Sequence, residues 1–301
     1  MTNERSKHIQ IGETLRYIRE EKNLSANSIA KDILSSAQLS RIEKQNQIPN
    51  ADSFIKMLYR LNVTFEEFCL LSNDEYIKVR TKTRNDVFEV LRKRKPQELK
   101  RMINSMDDHY HEYNDPYFNH LSCMIKATLI LGESNYDFSK ALDVLKPISN
   151  YLSSVEAWFD YETALFTNCL YLYPLEEAIA IGNTALEKIK NNYTLIKDNE
   201  KMAHGLLVNL ASYSLTDEKY YHYAHAYSSA ALSLPQSMDF LYNSLLAKIV
   251  NQVACYKLGN IEYDETYLAN LINSFKLLKF DDLYQQCVDF VTKHGITINE
   301  T

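Results

Sequence analysis

A cluster of polar side chains lies at the start of a short amphipathic segment in the N-terminal part of the chain. Glutamine can pair bidentately with adenine, arginine can bind guanine or phosphate, and serine can serve most bases. The backbone N–H groups at a helix start can also donate to phosphates. We therefore predict DNA contacts from residues in and beside this segment: Arg16, Ser36, Gln38, Ser40, Arg41 and Lys44.

A second regularity involves asparagine. Asn168, Asn209 and Asn251 recur at nearly equal intervals, in the middle of three successive predicted helices. Asparagine is unfavourable inside a helix because its amide competes for backbone hydrogen bonds, so its repetition needs a reason. A row of carboxamides can donate to and accept from the backbone of an extended peptide. Hydrogen bonding between the repeats, without any ligand, is an alternative that the sequence leaves open.

Aromatic side chains and one lysine near these asparagines can complete a peptide-binding surface. The rings can form pockets for peptide side chains. Lys248 lies one helical turn before Asn251 and can pair with a peptide carboxylate. The predicted peptide-binding residues are Trp158, Asn168, Tyr171, Asn209, Tyr213, Lys248 and Asn251.

Short helices must position the first cluster. Ser25 and Thr64 are candidate N-caps, and Glu67 completes a capping box with Thr64. Two helices joined by a tight turn, the second with polar residues at its N-terminal end, are typical of a helix-turn-helix that reads the major groove. Hydrophobic spacing predicts helices at Ile9–Lys22, Ala26–Ile33, Ala37–Lys44, Ala51–Leu61 and Phe65–Leu71.

The rest of the chain also has helical spacing. Pro96 ends a basic linker helix and begins the next helix. Four units follow, each a helix, a turn and a second helix, and a trailing helix at Asp282–His294 ends the array. Such pairs are typical of helical-repeat domains whose first helices line a concave face.

Glycine and proline break helices, and each occurs only 6 times in the 301 residues. We therefore predict an all-α protein. It would contain a helix-turn-helix domain at 1–72, a linker helix at 73–98, and a right-handed, tetratricopeptide-like repeat domain at 99–301. The repeat domain would sense the ligand and form the dimer.

Charge is distributed unevenly along the chain, whose formal net charge is −6. Basic residues exceed acidic ones up to Arg101, beyond which arginine is absent and acidic residues predominate. This pattern predicts one part that binds a polyanion and an acidic part with another task. The basic run at 92–95 either supports DNA binding through the phosphate backbone or forms the solvated face of a hinge.

Other classes of protein are disfavoured. No apolar run is long enough to cross a bilayer, and the N-terminus lacks the apolar region of a signal peptide, so we expect a cytoplasmic protein without membrane contact. The 5 cysteines are widely spaced, which favours buried free thiols. Nucleotide-binding and metalloprotease motifs are absent, and His109 and His111 face different sides of a helix. We expect no enzyme activity, no catalytic residue, no cofactor and no metal.

The stretch Leu15–Phe68 resembles the Xre/Cro family of helix-turn-helix domains. The resemblance rests on Ala30, the box Leu39–Glu43, the turn at Pro49 and the segment Leu61–Phe68. It implies that α-helical residues after the turn read DNA bases.

The same resemblance implies a structural role for Glu43, which would pair with Arg16 or Arg19. One departure affects the turn before the reading helix. The family usually has a glycine there, whereas this chain has Ile33–Ser35 in a turn that is one residue shorter. The reading helix can therefore start at Ser35, Ser36 or Ala37.

The order of reading domain, linker and repeats resembles the Rgg/GadR/MutR regulators over the whole chain. The resemblance implies a homodimeric transcription factor that binds a double-stranded DNA operator and is controlled by a short signalling peptide, as in quorum sensing. Relatives commonly place an arginine in the peptide groove, so a lysine or an apolar peptide must replace that contact here. The alternatives are a repeat adaptor or peptide-binding protein for which DNA binding is secondary, and a regulator without a ligand.

Overall fold

The structure, a computed structural model, describes residues 10–45, 47–72, 74–93, 95–134, 136–191, 198–234 and 241–298. Regular secondary structure in these ranges is helical, and they contain no β-strand, so the predicted all-α class is confirmed. Contacts divide the chain into two compact units, on either side of the Asp115–Pro116 bond. Within the described ranges, no helix combines the length and the apolar character needed to span a bilayer.

Five short helices form the N-terminal part of the first unit, between residues 10 and 72. The bounds of the last two are as predicted, because both helices begin at local capping residues. The predicted start of the first, Ile9, lies outside the described residues. The helices are α1 (Ile11–Glu21), α2 (Ala26–Ala30), α3 (Ser36–Gln45), α4 (Ala51–Leu61) and α5 (Phe65–Leu71).

Capping side chains fix the ends of these helices. The Asn50 carboxamide accepts from the N–H of Ser53 and opens α4. Thr64 and Glu67 form the predicted capping box at the start of α5. Asn62 ends α4 in the left-handed conformation, with φ of 51°, which asparagine tolerates better than most residues.

One hydrophobic core joins the five helices. It consists of buried residues from every helix, and partly buried side chains from the connecting turns pack against it. This core fixes α3 against α1 and α2, so that only one face of α3 is left to solvent. The buried members are Leu15, Ile18, Ile29, Ala30, Leu39, Ile42, Met57, Leu58, Leu61 and Phe68.

The predicted end of α2 at Ile33 is wrong, because the helix ends at Ala30. Lys31 is extended and Asp32 has a φ of 61°, so the chain leaves the helical path there. The N–H groups of Ile33 and Leu34 both donate to the Ala30 carbonyl, which closes the turn. Asp32 therefore holds the left-handed conformation that favours glycine in such turns.

Two longer helices complete the first unit. They are α6 (Glu75–Lys93) and α7 (Pro96–Tyr113), which begins with proline as predicted. In the basic run at 92–95, Arg94 lies outside the described residues. The predicted division at 1–72, 73–98 and 99–301 stays a prediction, although contacts group α6 and α7 with the first unit.

The second unit is built of helix pairs. Helix α8 packs on α9, α12 on α13 and α14 on α15, while α12 also packs beside α10 and α14. The last helix packs on α15 and begins and ends one residue before the predicted trailing helix. The helices are α8 (Pro116–Glu133), α9 (Phe138–Ser154), α10 (Asp160–Cys169), α11 (Leu175–Asn191), α12 (Asp198–Ser214), α13 (Tyr221–Ser233), α14 (Leu241–Leu258), α15 (Glu265–Leu277) and α16 (Asp281–Lys293).

Candidate DNA-binding and ligand-binding surfaces

The polar N-terminal end of α3 is organised by a capping box. The Ser35 hydroxyl accepts from the N–H of Gln38 at 3.2 Å, and the Gln38 side-chain oxygen accepts from the N–H of Ser35 at 2.8 Å. The Ser35 hydroxyl also donates to that oxygen at 3.0 Å. Ser35 is therefore the N-cap and Ser36 the first helical residue, which settles the choice among Ser35, Ser36 and Ala37.

This box limits what Gln38 can do. Its carboxamide oxygen already accepts two hydrogen bonds from Ser35, and only its NH₂ group is left to donate. Bidentate pairing with adenine needs both an acceptor and a donor from the same side chain. In this conformation Gln38 can only donate to a base acceptor, and bidentate pairing would require its side chain to leave the capping box.

The other predicted DNA contacts on α3 remain accessible. Ser36, Arg41 and Lys44 are exposed, and Ser40 is half-buried. The Arg41 Nε donates at 3.4 Å to the Ala37 carbonyl within the same helix. Its terminal nitrogens make no hydrogen bond to a residue that the structure describes, so they are available to phosphate or guanine.

Arg16 lies on α1 rather than α3. Its side chain is exposed, and its Nε donates to the Glu20 carboxylate at 2.8 Å. A neighbouring carboxylate partly neutralises the guanidinium and weakens its attraction for phosphate. Arg16 is therefore a weaker candidate for DNA contact than Arg41.

Two features hold α3 against α1. Arg19 pairs with Glu43, which confirms one of the two partners predicted for that carboxylate. Gly12 lies directly against the backbone of α3, since a Cβ at this position would be 1.9 Å from the Ile42 carbonyl oxygen. No side chain larger than hydrogen fits there without separating the two helices.

In the second unit, the three asparagines occupy matching helices but different environments. Asn168 is exposed and donates to the Ala164 carbonyl of its own helix at 2.7 Å. Asn209 on α12 is half-buried, and no described residue hydrogen-bonds its carboxamide. Asn251 on α14 donates at 3.1 Å to both Ser228 and Ser229 of α13. The predicted row is therefore not uniform, and at Asn251 the contact is one between helices.

A pair of tyrosines lies beside Asn209. The Tyr171 hydroxyl donates to the backbone carbonyl of Asn209 at 3.2 Å, and the Tyr171 and Tyr213 rings are 5.0 Å apart with their planes at 60°. Tyr171 is 42% exposed, yet desolvation by the surrounding protein raises the pKa of its hydroxyl far above the ordinary value. The Tyr171 ring is therefore accessible while its hydroxyl is bonded to the backbone of Asn209.

Tyr213 is the second ring of this pair. Its hydroxyl donates to the Tyr173 carbonyl at 2.8 Å, and burial raises its pKa. Tyr171 and Tyr213 therefore keep their hydroxyls bonded to protein backbone, and the Tyr171 hydroxyl lies against the backbone of Asn209.

The prediction that Trp158 lines the ligand surface is contradicted by its position. The indole is 2% exposed, packs 5.9 Å from the Phe166 ring and donates to the Leu152 carbonyl at 3.4 Å. The Lys188 ammonium lies over the Trp158 ring, 5.9 Å from its centroid. Because a large aromatic side chain buries more apolar area inside the unit than on its surface, Trp158 serves the core.

Lys248 and Asn251 line a cavity of about 260 Å³. Its other walls are Leu232, Gln252 and Tyr267, none of which was among the predicted residues. Gln252 follows Asn251 directly in the sequence, so it could have been predicted from its position alone. Tyr267 comes from α15, and only packing brings it here.

Two protein families match separate parts of the chain. The family described as HTH-type transcriptional regulator Rgg, C-terminal domain, matches residues 99–288. The helix-turn-helix family matches residues 15–68. The second match ends at Phe68, the residue that closes the core of the five short helices.

Solved structures share this fold at low sequence identity. The SHP pheromone receptor Rgg2 of Streptococcus dysgalactiae is 22% identical, with a TM-score of 0.72, over 94% of this chain and 99% of that chain. A transcriptional regulator from Listeria monocytogenes EGD-e is 20% identical, with a TM-score of 0.74, over 96% and 100%.

A third similar structure was solved in complex with both a peptide and DNA. It is PlcR of Bacillus thuringiensis in complex with the peptide PapR7 and DNA, 16% identical, with a TM-score of 0.65, over 93% of this chain and 99% of that chain. At these identities the likeness establishes the fold. Since the Rgg family match spans well over half of the residues, the chain belongs to the Rgg family of helix-turn-helix transcriptional regulators.

Proposed function

We propose that this regulator binds operator DNA as a cytoplasmic homodimer through the N-terminal end of α3, and that a short signalling peptide bound by its second unit controls it. The observation that carries the peptide proposal is Asn209: its carboxamide has no hydrogen-bond partner among the described residues, and its backbone carbonyl accepts from the accessible Tyr171. An amide that lacks a partner in the described part of the chain suits an extended peptide, which offers both backbone N–H and C=O groups.

The relatives support both halves of the proposal. Rgg2 is described as a pheromone receptor, and PlcR was solved with a peptide and DNA together. Both have the same order of reading domain and helical unit as this chain. A protein with this fold is therefore known in complex with a peptide and DNA together.

The chemistry of the surface suggests the class of peptide. Arginine is absent beyond Arg101, so a cation in the second unit must come from lysine or histidine. Lys248 lines the same cavity as Asn251 and can bind one carboxylate, either a C-terminus or an acidic side chain. Tyr171 and Tyr213 offer ring surface to apolar side chains. We infer an apolar peptide with a single carboxylate anchor.

Fluorescent peptides tiled across the small open reading frames beside the gene provide a direct test. Each is titrated with the full chain and followed by anisotropy. We expect at least one to bind the parent and to bind Asn209→Ala and Lys248→Ala at least tenfold more weakly. Arg41→Ala is the matched control, since it lies on α3 and is expected to keep peptide affinity while it loses affinity for DNA.

DNA binding is measured in parallel on a duplex that the parent protein selects from a random pool. Equal peptide affinity in the parent and in both second-unit variants would contradict the proposed surface. If no duplex is enriched over the starting pool, the repeat-adaptor alternative is favoured. If no tiled peptide binds but a duplex is enriched, the regulator without a ligand is favoured.

A further inference from the structure

A cluster of three side chains in the second unit has the composition of a metal site. His225 of α13, Cys255 of α14 and Glu262 of the following turn bring one nitrogen, one sulfur and one carboxylate oxygen within 4.8 Å of one another. None of the three belongs to the predicted peptide-binding or DNA-binding residues. Their residue types match the ligands that zinc accepts in proteins.

The residues that the structure describes do not satisfy the hydrogen-bonding capacity of the His225 imidazole. Its Nε2 atom is buried and has no hydrogen-bond partner in the part of the chain that the structure describes. The nearest carboxylate oxygen, Oε2 of Glu262, is 3.7 Å away, which is too long for a hydrogen bond. A buried ring nitrogen without a partner costs free energy, and a metal ion would satisfy it.

The spacing suits a small tetrahedral ion. Bonds of about 2.0–2.3 Å from zinc to nitrogen, oxygen and sulfur place neighbouring ligand atoms roughly 3.4–3.6 Å apart. The distance of 3.7 Å between His225 and Glu262 is already close to this value. The Cys255 sulfur already lies within 4.8 Å of the other two ligand atoms, so it would need to move only slightly to reach the same spacing.

The turn that carries Glu262 is held in place independently of any ion. Helix α14 ends at Leu258 and is followed by Gly259, whose φ is 62°, and the N–H of Asn260 donates to the Cys255 carbonyl at 2.9 Å. The buried Gln252 side chain donates to the Glu262 carbonyl and accepts from the N–H of Asp264. Glu262 is thus fixed beside Cys255 while its carboxylate stays open to solvent, which leaves a route of entry.

We propose that His225, Cys255 and Glu262 bind one divalent ion of the zinc class, with a water molecule as the fourth ligand. A thiolate and a carboxylate neutralise the two positive charges of the ion, and neutral histidine supplies the third bond. Without an ion, desolvation raises the pKa of the Cys255 thiol, which keeps it protonated and donating at 3.8 Å to Asn251. Ion binding releases that proton to solvent and frees the Asn251 oxygen.

The site joins three segments that follow one another in the chain. An ion there fixes α13, α14 and the turn before α15 to one another, one helical turn from Asn251. It would therefore stiffen a wall of the cavity that also contains Lys248. The inference does not depend on peptide binding.

Titration of the chelator-treated full chain with Co²⁺ alone tests the site. Cobalt reports its ligands in its absorption spectrum, because a bound thiolate gives a charge-transfer band in the near ultraviolet. We expect one equivalent of Co²⁺ to produce this band, zinc to displace it, and Cys255→Ser to abolish it. Cys287→Ser is the matched control, since Cys287 is another buried free thiol and lies on α16.

A surface variant separates ligation from folding. Glu262→Gln changes an exposed side chain, so its melting temperature without metal should equal that of the parent. We expect its Co²⁺ affinity to fall by at least the ~10–100-fold that loss of an outer-shell partner costs, while Glu265→Gln keeps parental affinity. The proposal is overturned if the parent gives no thiolate band, if Cys255→Ser retains it, or if Glu262→Gln binds as tightly as Glu265→Gln.

Discussion

Arg19 and Glu43 form a two-point ion pair between the first and third helices, with nitrogen–oxygen distances of 2.7 and 2.8 Å. The Glu43 side chain is 4% exposed and that of Arg19 13%, so both charges are largely withdrawn from water. The same guanidinium donates to the Leu24 carbonyl at 3.1 Å and so also fixes the turn after α1. Glu43 therefore holds α3 in place, and its carboxylate is not available to contact DNA.

Glu43→Gln removes the buried counter-charge of the Arg19 guanidinium and leaves it only the exposed Glu20 carboxylate, at 3.4 Å. Loss of one partner of a buried pair costs about 3–5 kcal/mol, so we expect the free energy of unfolding of the first unit to fall by that order. Chemical denaturation followed by circular dichroism measures it. Asp52→Asn is the control, because Asp52 pairs with Lys56 on the exposed face of α4, where such a pair is worth about 0.3–0.5 kcal/mol. Equal losses in the two variants would contradict this account.

Gln38→Glu separates the capping role of residue 38 from its role in DNA binding. Glutamate is a favoured partner in a capping box, so the stability of the chain should change by less than about 0.5 kcal/mol. The amide donor disappears and a negative charge faces the DNA, so affinity for a selected duplex should fall about 10–100-fold. Anisotropy with that duplex is the measurement, and unchanged affinity would remove Gln38 from the contact surface.

Asn251→Ala and Asn209→Ala should differ in stability. The first loses hydrogen bonds to Ser228 and Ser229 and leaves their hydroxyls with one donor fewer, a cost of about 1–2 kcal/mol. The second removes a side chain without a described partner and replaces it with a better helix former, so stability should be equal or slightly higher. Thermal melting of the two full-length variants decides between them, and equal destabilisation would contradict the environments described.

The stability of the second unit should depend on pH through His294. Desolvation, with help from Lys257 and Lys293, lowers the pKa of this histidine to about 4. An unfolded histidine binds its proton near pH 6.5, so between those values the unfolded state holds more protons. Stability is therefore lost as the pH falls from about 6.5 towards 4.

His294→Gln should flatten this dependence by up to ~1.4 kcal/mol per pH unit, the limit for one proton. Chemical denaturation at several pH values provides the slopes. His111→Gln, at an exposed position on α7, is the matched control. A slope that is the same in the parent and in His294→Gln would show that another group is responsible.

The sequence predicted those features of the fold that neighbouring residues determine. The bounds of α4 and α5 were correct because Asn50, Asn62 and the Thr64–Glu67 box lie at the helix ends themselves. The end of α2 was missed because the left-handed residue is Asp32, where a glycine would have been recognised. The end of a helix can be predicted from neighbouring residues only when a typical capping residue or glycine stands there.

The candidate sites were predicted less completely, because their partners come from distant segments. Spacing placed Asn168, Asn209 and Asn251 on corresponding helices, but Ser228 and Ser229 decide what Asn251 does. Periodicity also cannot tell a buried ring from an accessible one, which is why Trp158 was assigned to a surface. The spacing of His225, Cys255 and Glu262 in the sequence likewise does not indicate that the three side chains lie together.

The contact between Gly12 and the Ile42 carbonyl has a mechanical consequence. Where two backbones touch, their separation is set by atomic radii rather than by side chains that can change rotamer. Helix α3 therefore cannot tilt or slide on α1 to fit a poorly matched groove. The helix-turn-helix domain would bind DNA as a rigid body. In the proposed homodimer, tolerance for different distances between two binding sites on one duplex would have to arise in the segments that join the two reading domains.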